Sequence, residues 1–370
     1  MKKIISMMVF IAIALAVRAD SITLVDETDL SPIAGATVIS DNGLIIGQTD
    51  KKGEINVSRK DFPLSIRCLG YEALTITEST DTIRMSQATY ALGELLVMPI
   101  ERPITRVLMY VRKYSYGTVG NDTTMIYEEA MLEYLFAKQK VKGYDKADKK
   151  AKTRNTRTYG RKTSHGKDSI YRPKASNHHN DIIVNPHKEI EVTKAIRQGA
   201  SSDTIQGKYS PKYIYKSNKD IVVIDYDPMG NKKEHKVSPS FAKMLGIKTD
   251  IHEFSETVAF KKNKRGKYGI QDYIYGTYNI NISYSGPLTQ KVFKTKDGLE
   301  FKIYGEQYPV LIESLSVEEY KELKESRNDT QIEFMIPEFV QPLAPAVQRL
   351  VDRFEPEGRS VDEQRNIKGI

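Results

Sequence analysis

The chain has 370 residues, of which 39% are hydrophobic and 28% are charged, and its formal net charge is +8. This length fits two or three domains. Its one cysteine, Cys68, excludes an intrachain disulfide, and no stretch beyond residue 19 is apolar enough to form a membrane-spanning helix.

Residues 1–19 have the pattern of a secretory signal peptide. Lys2 and Lys3 form a basic start, the segment 4–17 is almost wholly apolar, and Val17 and Ala19 are small residues before a predicted cleavage point. The apolar run is short for a membrane span, which takes about 20 residues; an uncleaved anchor is the alternative. We therefore expect an exported protein, periplasmic or outer-membrane-associated, and membrane-peripheral at most.

Residues 20–98 predict a small β-sandwich. Short apolar runs alternate with turn residues at regular spacing, a pattern typical of all-β domains. The predicted strands are SITLVDE, ATVIS, LIIGQT, EINV, LSIRC, ALTIT, DTIRM and GELLVM.

Four motifs stand out in this stretch: PIAGATV at 32–38, GQTD at 47–50 with Gly53, LGY at 69–71, and LGELLV at 92–97. Together they resemble the carboxypeptidase-regulatory-like (transthyretin- or prealbumin-like) domain of bacterial envelope proteins. Gly35 and Gly53 are expected in tight turns with positive φ. The resemblance implies a prealbumin-like sandwich that has no chemistry of its own.

Members of this family are often fused to a zinc carboxypeptidase, which needs a His-x-x-Glu pair to bind zinc. None of the six histidines has Glu three residues later. The zinc carboxypeptidase motif is therefore absent, and we expect no cofactor.

A linker at 99–103 should lead into an antiparallel α+β domain at 104–354, followed by a polar tail at 355–370. Apolar residues at helical spacing predict helices over 104–114 and 124–140.

A basic loop is predicted over 138–190. Between Lys138 and Lys174 there are 14 Lys or Arg residues against three Asp. A solvated loop or long hairpin is one interpretation, and contact with anionic envelope polymers or lipid phosphates is another. Nucleic acid is not expected to meet an exported protein. The candidate contact residues are Lys149, Lys150, Arg154, Arg157 and Arg161.

His178, His179 and Asp181 form the clustered histidine group, and these residue types are common zinc or copper ligands. Their spacing matches no structural-zinc pattern, so solvated loop residues are the alternative.

Beyond residue 205 the pattern returns to strands, predicted at 221–224, 278–284, 291–294, 299–304 and 332–336. Short helices are predicted at 238–246, at 317–326 with a Ser316–Glu319 capping box, and at 343–354. The fold class is thus mainly β: an N-terminal sandwich and a second domain with a curved antiparallel sheet and peripheral helices.

A curved sheet of this kind could hold an apolar or amphipathic ligand. The candidate liners are Tyr273, Tyr275, Tyr278 and Tyr284, although core packing equally explains tyrosines in an alternating strand.

Several tripeptides resemble the Asp–Ser/Thr–apolar acceptor of periplasmic O-glycosylation, although ordinary Asx turns also explain them. The candidate hydroxyls are those of Thr82, Thr123, Ser169 and Thr204.

The sequence favours a non-enzymatic envelope protein that binds a ligand or acts as a scaffold for an envelope protein, lipid or polysaccharide partner. The alternatives are an unrecognised envelope hydrolase, metal-dependent around His178 and His179, and an outer-membrane assembly partner.

Overall fold

The computed structural model describes residues 20–88, 102–137, 140–145, 151–173, 189–231, 235–236, 248–287, 289–290, 298–326 and 331–355. The protein is mainly β, with 54% strand and 11% helix, which confirms the predicted class. Two compact units divide the chain: residues 1–90 with 341–349 form the first, and residues 91–340 with 350–370 form the second. No helix in the described ranges has both the length and the apolar character needed to cross a membrane.

The first unit contains two small sheets. Strands β4, β1 and β7 form one in that order, and β3, β2, β5 and β6 form the other. Their bounds are β1 Asp20–Asp26, β2 Thr37–Ile39, β3 Ile45–Gln48, β4 Glu54–Val57, β5 Leu64–Arg67, β6 Leu74–Ile76 and β7 Thr82–Met85.

Both small sheets contribute side chains to one buried cluster. Ile22 and Leu24 enter it from β1, Val38 from β2, and Leu64 and Ile66 from β5. The alternating patterns of these runs thus turn one side of each strand inward. The half-buried Cys68 packs against the same cluster.

The turn predicted at Gly53 is present, with φ +75°, and a Cβ there would collide with the carbonyl oxygen of Leu24. Gly35 also has a positive φ, of +78°, as predicted. Only glycine tolerates such positions without strain.

A buried carboxylate ties the first unit together. Asp26 is 2% exposed, and its side chain accepts hydrogen bonds from the Tyr71 hydroxyl at 3.0 Å, Gln87 Nε2 at 2.7 Å and the Thr28 amide at 2.7 Å. Burial alone would raise the Asp26 pKa, but these hydrogen bonds lower it below its ordinary value.

The second unit is built on one large antiparallel sheet. Ten strands follow the order β11-β10-β9-β8-β20-β19-β17-β15-β14-β13, and β16 also pairs with β17. The bounds are β8 Ile104–Val119, β9 Asp122–Ala137, β10 Lys152–Ser164, β11 Lys167–Tyr171, β13 Ser202–Gln206, β14 Pro211–Ser217, β15 Ile221–Tyr226, β16 His235–Lys236, β17 Lys248–Lys261, β19 Tyr273–Ser285 and β20 Leu299–Leu315. A separate short pair joins β12, Ile190–Glu191, to β18, Lys267–Tyr268.

The main core of this unit lies on one side of the large sheet. Met109 from β8 belongs to a buried cluster that also contains Phe260 from β17 and Tyr273 from β19. Val192 and Ile196, from the segment around β12, are part of the same cluster. We call this side of the sheet the apolar face.

Three α-helices lie wholly in the described ranges: α1 Lys194–Arg197, α2 Val317–Ser326 and α3 Pro345–Asp352. The capping box predicted for α2 is present. The Ser316 amide donates to Glu319 Oε2 at 2.7 Å, and the Glu319 amide donates to Ser316 Oγ at 3.1 Å. The terminal helix predicted over 343–354 corresponds to α3.

The helices predicted over 104–114 and 124–140 are wrong, because these segments form β8 and β9. Both strands are buried along most of their length on both faces. A strand buried on both faces loses the alternating pattern that would have identified it, and the helix-favouring residues of 128–137 are overridden by strand pairing.

The strand predicted at 332–336 is also wrong, since 331–337 contain no strand. Phe334 packs instead against Tyr110 and under the Arg157 guanidinium, 4.7 Å from the ring centroid. Within the predicted basic loop, β10 and β11 form a hairpin. The predictions at 92–97, 238–246 and 291–294 lie outside the described residues.

Candidate ligand-binding site

The strand register places six apolar side chains next to one another on the apolar face. Ile303, Ile280 and Phe254 face one another across β20, β19 and β17, and the next row contains Phe301, Ile282 and Ile251. All six are half-buried. We call this group the apolar patch: Ile251, Phe254, Ile280, Ile282, Phe301 and Ile303.

A bulge in β17 creates the third column of this patch. The pairing of β17 with β19 shifts between Ile251 and Glu253, so that Ile251 opposes Ile282 while Phe254 opposes Ile280. In a regular strand, residues 251 and 254 would point to opposite faces. The extra residue brings both onto the apolar face.

Aromatic rings lie over glycines beside the patch. Gly117 is directly opposite Phe301, and a Cβ at Gly117 would come within 2.5 Å of the Phe301 ring. Gly305 stands in the same relation to Tyr278. The missing side chains of these glycines give the rings room to lie flat on the sheet.

A buried ion pair on the neighbouring strands β8 and β9 lies in the row between the patch and the core cluster. Lys113 Nζ lies 2.7 Å from Glu128 Oε2, and both side chains are less than 10% exposed. Lys113 on β8 lies opposite both Gly305 on β20 and Glu128 on β9, so the ion pair is on the apolar face. Its row falls between the row of Ile303, which belongs to the patch, and the row of Val111, which belongs to the core cluster. The patch is therefore a distinct apolar surface.

The structure divides the four candidate tyrosines. Tyr278 and Tyr284 lie on the apolar face, one at each end of the β19 segment that crosses the patch. The Tyr284 ring packs edge to face against Phe301, with 6.1 Å between the ring centroids. Tyr273 belongs to the core cluster, and Tyr275 stacks on Tyr308 at 5.6 Å on the opposite side of the sheet.

Burial raises the pKa of the Tyr284 hydroxyl above its ordinary value. It raises the pKa of Tyr273 well above that value. Both phenols therefore stay neutral at physiological pH, and Tyr284 offers the patch a neutral polar group.

The opposite side of the sheet, which we call the ionic face, contains a row of alternating charges. Arg157, Glu129, Arg112 and Glu306 oppose one another in turn across β10, β9, β8 and β20. Arg112 Nε donates to Glu306 Oε2 at 2.8 Å, and Arg157 lies 3.8 Å from Glu129.

Tyrosines complete this charged row. Tyr110 and Tyr127 donate to Glu129 Oε2 at 2.9 and 3.0 Å, and Tyr308 donates to Glu306 Oε2 at 3.0 Å. Burial raises the pKa of Tyr110 and Tyr127 well above the ordinary value, so both remain donors. The row is internally compensated and holds four strands in register.

The arginines proposed to contact anionic polymers have internal partners instead. Arg154 bonds Glu133 at 2.6 Å, with both side chains buried, and Arg157 takes part in the charged row. Arg161 is half-buried. Arg154 and Arg157 thus face buried carboxylates of β9, Glu133 and Glu129, which leaves them poorly placed to contact an anionic polymer. Lys149 and Lys150 lie outside the described residues, so their part of the prediction stays a prediction.

His178, His179 and Asp181 lie outside the described residues, so the metal-ligand prediction stays a prediction. In the described ranges no three His, Cys, Asp or Glu side chains are grouped in a way that could hold a metal ion.

Three of the four candidate acceptor hydroxyls belong to exposed residues. Thr82, Ser169 and Thr204 are exposed, and Thr123 is half-buried. Each of the three exposed residues lies in a strand at the edge of its sheet.

None of the six patch residues was among the candidates from the sequence, which were the four tyrosines; Ile280 and Ile282 do fall in the strand predicted at 278–284. The alternation of Phe301 and Ile303 beside Gly298 is a usable strand signal. The bulge hides the relation of Ile251 to Phe254, since their spacing places them on opposite faces of a regular strand.

No protein-family model matches the chain, and no curated protein matches it. Among solved structures, the chain is similar to one titled "lipid-protein interactions in lipovitellin", at 8% identity and a TM-score of 0.29. The match covers 58% of this chain and 26% of that one.

Proposed function

We propose that this chain is a non-enzymatic, exported envelope protein that binds the aliphatic part of a lipid-like amphiphile on the apolar patch. The single observation that carries the proposal is the patch itself: six adjacent, uncharged, half-buried side chains on three neighbouring strands. Apolar surface left beside water in this way favours an apolar ligand.

The size of the patch favours a lipid-like chain over a protein. Three strands span about 10 Å and two same-face residues about 7 Å along each strand. Six half-buried side chains expose less than the about 800 Å² per partner that a stable protein–protein interface buries. A single aliphatic chain fits these dimensions.

The edges of the patch suit an amphiphile. The Tyr284 hydroxyl provides a neutral polar group at one end. The row at the other end is polar, with Glu256 opposite Tyr278 and the Lys113–Glu128 ion pair on the adjoining strands. A ligand with an aliphatic segment and a polar end can satisfy both.

The first unit supports the proposal through its sequence motifs rather than through its contacts. Its resemblance to the carboxypeptidase-regulatory-like domain, together with the signal-like residues 1–19, favours an envelope location and a supporting role. The two small sheets and their shared core are consistent with such a domain.

The proposal is tested by titrating the purified protein with cis-parinaric acid, a fluorescent fatty acid, and comparing it with the Ile280→Thr/Ile282→Thr variant. Each replacement keeps a β-branched side chain but removes apolar surface. We expect the dissociation constant to rise roughly tenfold or more, since each lost methyl-sized contact is worth about 0.8 kcal/mol.

Ile214→Thr is the matched control. Ile214 is half-buried in the same sheet, but it lies opposite Asp225 on the ionic face. Equal loss of affinity in the control and the patch variant, or no saturable binding by the unaltered protein, would contradict the proposal.

A further inference from the structure

Exposed apolar side chains concentrate at the two edges of the large sheet. Five large hydrophobic residues in the described ranges are exposed. Ile170 and Tyr171 lie in the edge strand β11, Ile205 lies in the edge strand β13, and Tyr209 follows β13. Edge strands with exposed apolar residues are the usual sites of strand addition.

The two edges differ in how they are protected. In β13, the Thr204 amide donates to the Asp203 side chain at 2.8 Å. That amide is therefore already used and is not available to an added strand. In β11 all five residues are exposed, and in the described part of the chain no strand lies beyond it. β11 is therefore the more open edge.

The β10–β11 turn determines which main-chain groups of β11 point outward. Ser164 and Lys167 are joined by His165 and Gly166, with φ of 50° and 74°. In a two-residue hairpin the flanking residues form a hydrogen-bonded pair, and bonded residues then alternate. The amides and carbonyls of Lys167, Ser169 and Tyr171 thus face β10, and those of Asp168 and Ile170 face outward.

We propose that a second copy of this chain adds to the large sheet through β11, antiparallel, with a two-fold axis at Ser169. In this register Asp168 of each copy lies opposite Ile170 of the other copy. Both residues have outward main-chain groups, so each pair can exchange two hydrogen bonds.

The side chains fit the same register. Lys167 lies opposite Tyr171 of the second copy, and Asp168 lies opposite Ile170, so no like charges face each other across the junction. The interface is isologous, as in most homodimers. Five residues per copy make it small, which favours a weak, concentration-dependent dimer.

The register predicts one specific cross-link. In a Cys68→Ser background, Ser169→Cys places two thiols directly opposite each other in a non-hydrogen-bonded pair, a geometry that a disulfide can bridge. Lys167→Cys would lie opposite Tyr171 of the second copy, so its two thiols would not be adjacent. With oxidised glutathione, we expect Ser169→Cys to form covalent dimers at least tenfold faster than Lys167→Cys.

Sedimentation equilibrium provides the second measurement. Ile170→Pro removes one outward amide and leaves the bonds between β10 and β11 in place, and Ile170→Val is its matched control. Dimerisation should be lost with proline and kept with valine. Equal cross-linking rates at the two cysteine positions, faster cross-linking at Thr204→Cys, or a monomer at all concentrations would overturn the proposal.

Discussion

The ring of Phe301 lies across Gly117, its direct neighbour on the adjoining strand, where a Cβ would come within 2.5 Å of the ring. The absence of a side chain at Gly117 thus fixes the position of Phe301 at one side of the apolar patch, because the Phe301 ring occupies the space that a side chain at 117 would need.

Gly117→Ala should therefore displace Phe301 and weaken amphiphile binding. The ring must move to admit the methyl group, and overpacking of this kind costs about 1–3 kcal/mol, partly offset by the better strand propensity of alanine. Urea unfolding and the parinaric acid titration measure the two effects. Gly47→Ala is the control, because its Cβ would meet only Ile55 at 3.8 Å; a matching loss of binding in both variants would contradict this explanation.

The Arg112–Glu306 ion pair predicts a strongly asymmetric response to mutation. Both side chains are less than 5% exposed. Arg112→Met alone leaves a buried carboxylate without its cation and should cost about 3–5 kcal/mol of unfolding free energy. Arg112→Met/Glu306→Leu should recover most of that loss, because the Glu306 carboxylate that Arg112 neutralises is then removed as well. If the double variant is as unstable as the single one in urea, the pair does not act as we describe.

The acid sensitivity of the first unit should depend on Asp26. Its pKa is lowered in the folded state from an ordinary value of 3.8, so the folded protein favours the carboxylate. The resulting stability is present above pH 3.8 and is lost as pH falls through the lower, folded-state pKa. The difference in unfolding free energy between the unaltered protein and Asp26→Asn should be constant from about pH 7 to 5 and shrink below about pH 4.

The same contact has an alkaline counterpart. Burial and the hydrogen bond to Asp26 raise the pKa of Tyr71 above its ordinary value of 10.0. The stability from this group is fully present below about pH 10 and is lost as pH rises through the folded-state pKa. Tyr71→Phe should thus be less sensitive to alkali than the unaltered protein; an identical pH profile would show that the hydroxyl contributes nothing.

We expect O-glycosylation of the acceptor-like tripeptides to be more complete where the Ser or Thr residue is more exposed. Intact-mass and peptide mass spectrometry of protein purified from its native envelope should find hexose-containing additions at Thr82 and Thr204 before Thr123, whose residue is half-buried, and at Ser169 only in chains that are not paired through β11. Modification at Thr123 alone, or at none of the four, would show that these tripeptides are ordinary turn and strand residues.

The strands of the first unit were predictable from the sequence because they are short, carry alternating apolar residues and are separated by turn residues. Leu64 and Ile66 alternate inward, and Gly53 marks a turn that only glycine can make, so local pattern and final structure agree. The same holds for Ser316 and Glu319, whose capping box depends on residues three apart.

The large sheet was less predictable because its determinants are not local. Met109 and Tyr110 are adjacent and both buried, on opposite faces, so β8 has no polar side that would mark it as a strand. The partner of Arg112 lies 194 residues away in the chain, at Glu306. Pairing at that distance, and the bulge that turns Ile251 onto the apolar face, leave no signal in a short window of sequence.

Binding of an aliphatic chain to the apolar patch is measured most directly by photo-cross-linking with a diazirine-bearing palmitate, followed by peptide mapping of the labelled sites. We expect label on β17, β19 and β20, concentrated at Phe254, Ile280, Ile282 and Phe301, and displaced by unlabelled palmitate. Label spread over the ionic face or the first unit, or label that the competitor does not displace, would show that the patch is not the binding site.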